Sequence, residues 1–88
     1  MEKLGLKMEI VPLDGFSEQN FIAKLGDNLQ TVGVTKLYYG TDGNTYVFQV
    51  EYIPVPNLDF RPVLECFTEI ERKYPYLKII STELKDAL

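Results

Sequence analysis

Residues Val34 to Gly40 and Thr45 to Ile53 are rich in Val, Thr, Tyr and Phe, and they flank Thr41-Asp42-Gly43-Asn44. Two β-prone runs joined by Asp-Gly or Gly-Asn form a β-hairpin, because such turns supply the positive φ angles that match the twist of paired strands. No other feature constrains the fold so strongly, since a hairpin commits the chain to an antiparallel sheet with one face to bury. The register follows from parity. Whether the turn centres on Asp42-Gly43 or Gly43-Asn44, or takes four loop residues, facing residues have position numbers with an odd sum. Leu37 and Tyr39 then share a face with Tyr46, Phe48, Val50 and Tyr52, and that face is the expected core. The other face carries Lys36, Tyr38, Val47, Gln49 and Glu51. A three-residue loop would break this pairing.

The remaining elements follow from periodicity. Leu4, Leu6, Met8 and Ile10 alternate with Gly5, Lys7, Glu9 and Val11, which predicts a half-buried first strand over Leu4–Val11. Pro12 to Phe16 supplies turn chemistry. Ser17 is placed to cap a helix running to about Thr31, with Glu18 at its positive end and Gly33 to terminate it. Phe21, Ile22, Leu25, Leu29 and Val32 form its apolar stripe. Pro54-Val55-Pro56-Asn57 stops the third strand, because proline cannot donate to a ladder. A second helix is expected after a cap at Asp59, with Pro62 in its first turn and Val63, Phe67, Ile70 and Tyr74 on one face, ending near Pro75. Tyr76 to Thr82 is strand-like, with Leu77 and Ile79 on one side. Glu83 to Leu88 reads as a charged tail or short final turn.

Strand, helix, strand, strand, helix, strand is an order that resembles the ferredoxin-like double split βαβ plait over nearly the whole chain. Right-handed crossovers then imply an α+β fold with a four-stranded antiparallel sheet, ordered four-one-three-two, and both helices on one face. At 88 residues the chain is read as one domain, 1–88, because a chain this short buries only ~60% of its unfolded surface and supports a single core.

Composition narrows function mainly by exclusion. Thirteen acidic residues against nine basic ones give a net charge of −4, which repels nucleic-acid phosphate, so direct nucleic-acid binding is not expected. There is no His and one Cys. A disulfide framework, a Cys/His zinc site, a Ser-His or Cys-His dyad and a histidine switch are therefore absent from the sequence. The expectation is a non-enzymatic protein with no catalytic residue, no metal and no cofactor. The start Met1-Glu2-Lys3-Leu4-Gly5-Leu6-Lys7 interrupts its apolar residues with charge, and no apolar run approaches the ~18 residues of a membrane span. A soluble, cytoplasmic protein without membrane partners is expected.

Several small constellations compete with structural readings. Asp14-Gly15-Phe16-Ser17 leads into the first helix, where exposed N–H groups can hold an anion. The layout resembles small-molecule sensor domains of the ACT type, which implies a ligand loop at Asp14, Gly15 and Ser17. Against this, Gly15 makes a turn, Ser17 caps the helix, and Asp14 and Glu18 repel anions. Acylphosphatases resemble the same plait, but this loop has no arginine to clamp a phosphate. Copper-chaperone domains carry Cys-x-x-Cys there, and this loop has no cysteine. Cys66 reads as a small helix hydrophobe. Glu65 and Glu69 read as a solvated face with a Glu69–Lys73 pair, and Asp42-Gly43-Asn44 as a turn, not a calcium loop.

A surface argument remains. Tyr38, Tyr39, Tyr46 and Tyr52 lie in the hairpin region, no Lys or Arg falls between Lys36 and Arg61, and Asp42, Glu51 and Asp59 do. Tyrosine suits interfaces because its ring buries area while its hydroxyl tolerates water, and a negative field favours a basic partner. The leading expectation is a protein-interaction domain (an inhibitor, an immunity or antitoxin-like partner, or a subunit) that forms a homodimer through its open sheet face or an edge. Tyr38, Val47, Gln49, Glu51 and Asp42 are its expected contacts. The alternatives are the ACT-like sensor and an acidic inhibitor that mimics nucleic acid. The latter requires Asp42, Glu51, Asp59, Glu65 and Glu69 to cluster on one surface.

Overall fold

The computed structural model describes residues 2–53 and 60–85. Alternation in the first segment produces β1 (Glu2–Pro12), with Leu4, Leu6, Met8 and Ile10 buried on one side. The first helical stripe produces α1 (Glu18–Gln30), which buries Phe21, Leu25 and Leu29. Ser17 is its N-cap, extended at φ −132°, and the Ser17 hydroxyl accepts the Asn20 N–H at 3.4 Å. Gly33 follows the helix at φ +90°, a conformation that suits a residue without a Cβ.

The hairpin is β2 (Val34–Asp42) and β3 (Thr45–Tyr52) around a Gly43-Asn44 turn, with Gly43 at φ +63°. Its pairs include Leu37 with Val50, Tyr38 with Gln49, Tyr39 with Phe48 and Asp42 with Thr45, the odd-sum register that parity requires. That register shifts once, between Val34 and Lys36. The second helical stripe produces α2 (Arg61–Lys73), which buries Val63, Phe67 and Ile70. Its cap position is Phe60, which makes no side-chain capping bond, and Pro62 stands in its first turn. The expected cap Asp59 and the proline connector lie outside the described residues. β4 runs Leu77–Lys85. Glu83 to Lys85 are therefore strand and not tail, because Leu84 and Lys85 still pair with Leu6 and Gly5 of β1.

The four strands form one antiparallel sheet in the order β2-β3-β1-β4, a ferredoxin-like α+β arrangement. A second register shift falls between Glu9 and Ile10 opposite β4, where Ile80 is the extra residue. Both helices lie on one face. Phe21 of α1 meets Tyr46 and Phe48 edge-on at 5.5 and 6.5 Å, and Phe67 of α2 meets Phe48 at 5.1 Å. Fully burying each such ring contributes ~1.5–3 kcal/mol. Tyr46, Phe48, Val50 and Tyr52 are all buried, and Leu37 packs half-buried against them. Tyr39 departs from the expected core. It shares their face but stays 42% exposed, because β2 is an edge strand and Tyr39 reaches the margin of helix cover.

Candidate functional site

Neither helix covers the other face of the sheet. Strand pairing arranges that face in four rows, read across β2, β3, β1 and β4. The first holds Lys36, Glu51 and Lys3. The second holds Tyr38, Gln49, Gly5 and Lys85. Gly40, Val47, Lys7 and Glu83 make the third, and Asp42, Thr45, Glu9 and Ser81 the fourth. Beyond them β1 and β4 continue alone with Val11 and Lys78.

The middle rows are the apolar part. Tyr38 is 51% exposed and Val47 40%, and they border a shallow depression of about 330 Å³ that also involves Gly5, Gly40, Gln49 and Lys85. Glycine makes this hollow, since neither Gly5 nor Gly40 projects a side chain from the sheet. A Cβ built at Gly40 would meet nothing within 4 Å. The expected contacts Tyr38, Val47 and Gln49 are thus brought together. Asp42 and Glu51 share their face but sit in the end rows. Sequence reading missed Gly5 and Lys85, which the β4-β1 pairing delivers, and the alternation of β1 and β4 carried the signal for both.

Pairing also changes the electrostatic picture. The hairpin sequence is poor in basic residues, yet Lys3 from β1 and Lys36 from β2 both stand opposite Glu51. With Lys7, Lys78 and Lys85, five lysines reach the open face. The face is therefore of mixed sign and not an acidic patch. Of the carboxylates required for nucleic-acid mimicry, Glu51 and Asp42 lie on this face, Glu65 and Glu69 ride on α2 across the sheet, and Asp59 is outside the described residues. The described four do not gather on one surface.

The loop before α1 is built from internal bonds. Ser17 N–H donates to the Tyr74 hydroxyl at 2.8 Å, Phe16 N–H to Leu13 O at 3.0 Å, and Asn20 N–H to the Ser17 hydroxyl. Gly15 sits at φ +91° against the Tyr76 ring, where an added Cβ would come within 3.0 Å of Cδ1. Asp14, Gly15 and Ser17 are thus drawn together by turn and cap geometry, with three nearby N–H donors already engaged.

At the first turn of α1, Tyr39 and Tyr46 donate to separate Glu18 carboxylate oxygens at 3.3 and 3.2 Å. Burial, together with the hydrogen bond and charge of Glu18, pushes Tyr46 up to about 12. Tyr39 is also raised, by desolvation and then by Glu18. Both phenols are neutral donors at physiological pH, and the cluster fastens α1 to the hairpin.

On α2, Cys66 is half-buried and its thiol donates to Asn28 O at 3.5 Å. Burial raises its pKa despite the opposing charge of Lys73, so the thiolate is disfavoured. Glu69 pairs with Arg72 at 3.3 Å, while Lys73 donates to Asn28 Oδ1, which corrects the expected Glu69–Lys73 pair. Among the described residues no three acidic, Cys or His side chains converge as metal ligands, and no helix is long and apolar enough to cross a membrane. No protein-family model and no curated protein matches the chain.

Proposed function

We propose that this protein is a non-enzymatic interaction domain that forms a homodimer through the open face of its sheet, as a subunit or small inhibitory partner in the cytoplasm. The observation that carries this reading is the pairing of Tyr38 and Val47, both well exposed, with a glycine-floored hollow at the centre of a face that neither helix covers. Burying a tyrosine ring in such a hollow gains contact area on a rigid strand, with little loss of side-chain freedom. A half-buried single cysteine in place of a disulfide framework fits a reducing compartment.

The size of the face sets the expected strength. Four strands ~4.8 Å apart and about eight residues long at ~3.3 Å each give a footprint of roughly 500 Å². A standard interface buries ~800 Å² per partner, so a weak, concentration-dependent dimer is expected. Sedimentation equilibrium over a range of concentrations tests it. Tyr38→Asp or Val47→Asp is expected to shift the population to monomer while circular dichroism stays unchanged, and a wild type that is monomeric throughout refutes the reading.

A further inference from the structure

The four rows of the open face carry formal charges of +1, +1, 0 and −2 in order: Lys36, Glu51 and Lys3; then Lys85; then Lys7 with Glu83; then Asp42 with Glu9. These four rows make a dipole along the strand direction, basic where β1 begins and acidic toward the hairpin turn, which Lys78 beyond the fourth row reduces without cancelling. A single chain that meets its own copy face to face does so about a twofold axis lying in the plane between the sheets. Two orientations of that axis are distinguished by this dipole. An axis parallel to the strands lays each row over itself with the strand order reversed, so that Lys3 meets Glu51 while Lys85 faces Tyr38, Asp42 faces Ser81, Glu9 faces Thr45, and Lys36 finds no opposite charge among the described residues. An axis perpendicular to the strands reverses the rows and keeps each strand over its counterpart.

We infer that a second copy of this chain docks about the perpendicular axis, with the twofold between the row of Tyr38 and the row of Gly40. This rests on the homodimer reading and specifies its geometry. Each strand then supplies its own complement. On β2, Tyr38 lies over Gly40 of the second copy, so the most exposed aromatic of the face meets a position with no side chain and open space above it. Lys36, one row further out, lies over Asp42 of the second copy. On β1, Lys3 lies over Glu9. On β4, Lys85 lies over Glu83, and on β3, Gln49 lies over Val47. Symmetry doubles every one of these contacts. Aligned sheets cross at about 30°, which displaces the outer strands by ~5 Å, within the reach of a lysine side chain. The partner is thus identified by charge and shape together, and the pattern disfavours a uniformly charged partner such as nucleic acid, which one end of the face would repel.

Charge exchange on a single strand tests the axis. Lys36→Glu and Asp42→Lys are exposed changes on an edge strand, and each alone is expected to weaken dimerisation about tenfold by placing like charges together. The double variant Lys36→Glu/Asp42→Lys restores opposite charges across a perpendicular axis and is expected to recover near wild-type affinity. Gly40→Leu is a second probe. A Cβ there meets nothing within 4 Å, so the added side chain extends into the hollow over Val47, and dimerisation is expected to fall while the melting temperature of the monomer holds. A wild-type dimer whose double variant stays as weak as the single variants overturns the axis and leaves the face dimer standing. A dimer unaffected by all three changes, but broken by Val47→Asp, does the same. A wild type that never dimerises removes the homodimer reading itself.

Discussion

Tyr74 and Ser17 are 57 positions apart in sequence, yet the tyrosine hydroxyl engages both backbone polar groups of the serine, accepting its N–H at 2.8 Å and donating to its carbonyl at 3.1 Å. One phenol at the end of α2 thereby fixes the cap of α1. Tyr74→Phe keeps the ring contacts with Phe16, Phe21 and Tyr76 but leaves a part-buried N–H without its acceptor, at a cost of ~1–2 kcal/mol. In a domain of this size each kcal/mol lowers the melting temperature by ~4–8 °C, so thermal denaturation reads the loss directly.

Tyr46 makes stability fall in alkali. Its folded pKa, about 12, lies above the ordinary value of 10.0, so its contribution is fully present below pH 10.0 and is lost as pH rises from there toward about 12. Denaturant unfolding across that interval is expected to show a steeper decline for wild type than for Tyr46→Phe. Tyrosinate absorbance provides an independent reading, with one phenol ionising well after the exposed ones.

Gly15 answers to backbone and ring at once. At φ +91° beside Tyr76, Gly15→Val forces both a left-handed conformation and a contact near 3.0 Å, and a loss of ~1–3 kcal/mol is expected. Urea titration measures it. A neutral outcome would show that the loop rearranges easily and is not held by Tyr74 and Tyr76 as described.

Phe67 is fully buried against Phe48. Truncation to alanine is expected to cost ~3–5 kcal/mol through lost burial and the cavity left behind. Small domains sit near the low end of the ~5–15 kcal/mol range, so Phe67→Ala is expected to populate the unfolded state measurably at room temperature. The one-dimensional proton spectrum would show it as lost methyl dispersion.

Ion pairs at the rim of the proposed dimer are screened by salt. With a Debye length of ~8 Å at physiological ionic strength and ~3 Å at 1 M, raising salt is expected to weaken wild-type association several-fold. Tyr38→Asp, already monomeric, should show no change in its sedimentation.

Local pattern carried most of the fold. The parity of the hairpin register, the two apolar helical stripes and the Ser17 cap all depend on residues close in sequence, and each is found where periodicity puts it. What sequence did not reveal depends on neighbours delivered from afar. Tyr39 obeys parity but escapes burial because β2 ended at the sheet edge. Glu51 looked like part of an acidic surface until β1 brought Lys3 beside it. The hollow was hidden for the same reason, since Gly5 and Gly40 come from strands that never touch and are separated by β3. Lys73 turned from Glu69 to Asn28, a partner on the other helix that helical spacing cannot anticipate.

The two register shifts bear on how far association can proceed. They fall on β2 and β4, the two strands that bound the sheet: one between Val34 and Lys36, the other where Ile80 is accommodated opposite Glu9 and Ile10. A bulged border twists and breaks the even spacing of backbone donors and acceptors that an incoming strand must match. Lateral extension of the sheet, which can repeat without end, is thereby obstructed on both sides. Stacking by the face consumes its own docking surface in a single step. In the proposed homodimer assembly would therefore stop at two copies, and the same bulged borders would keep this tyrosine-rich sheet from growing into a fibre.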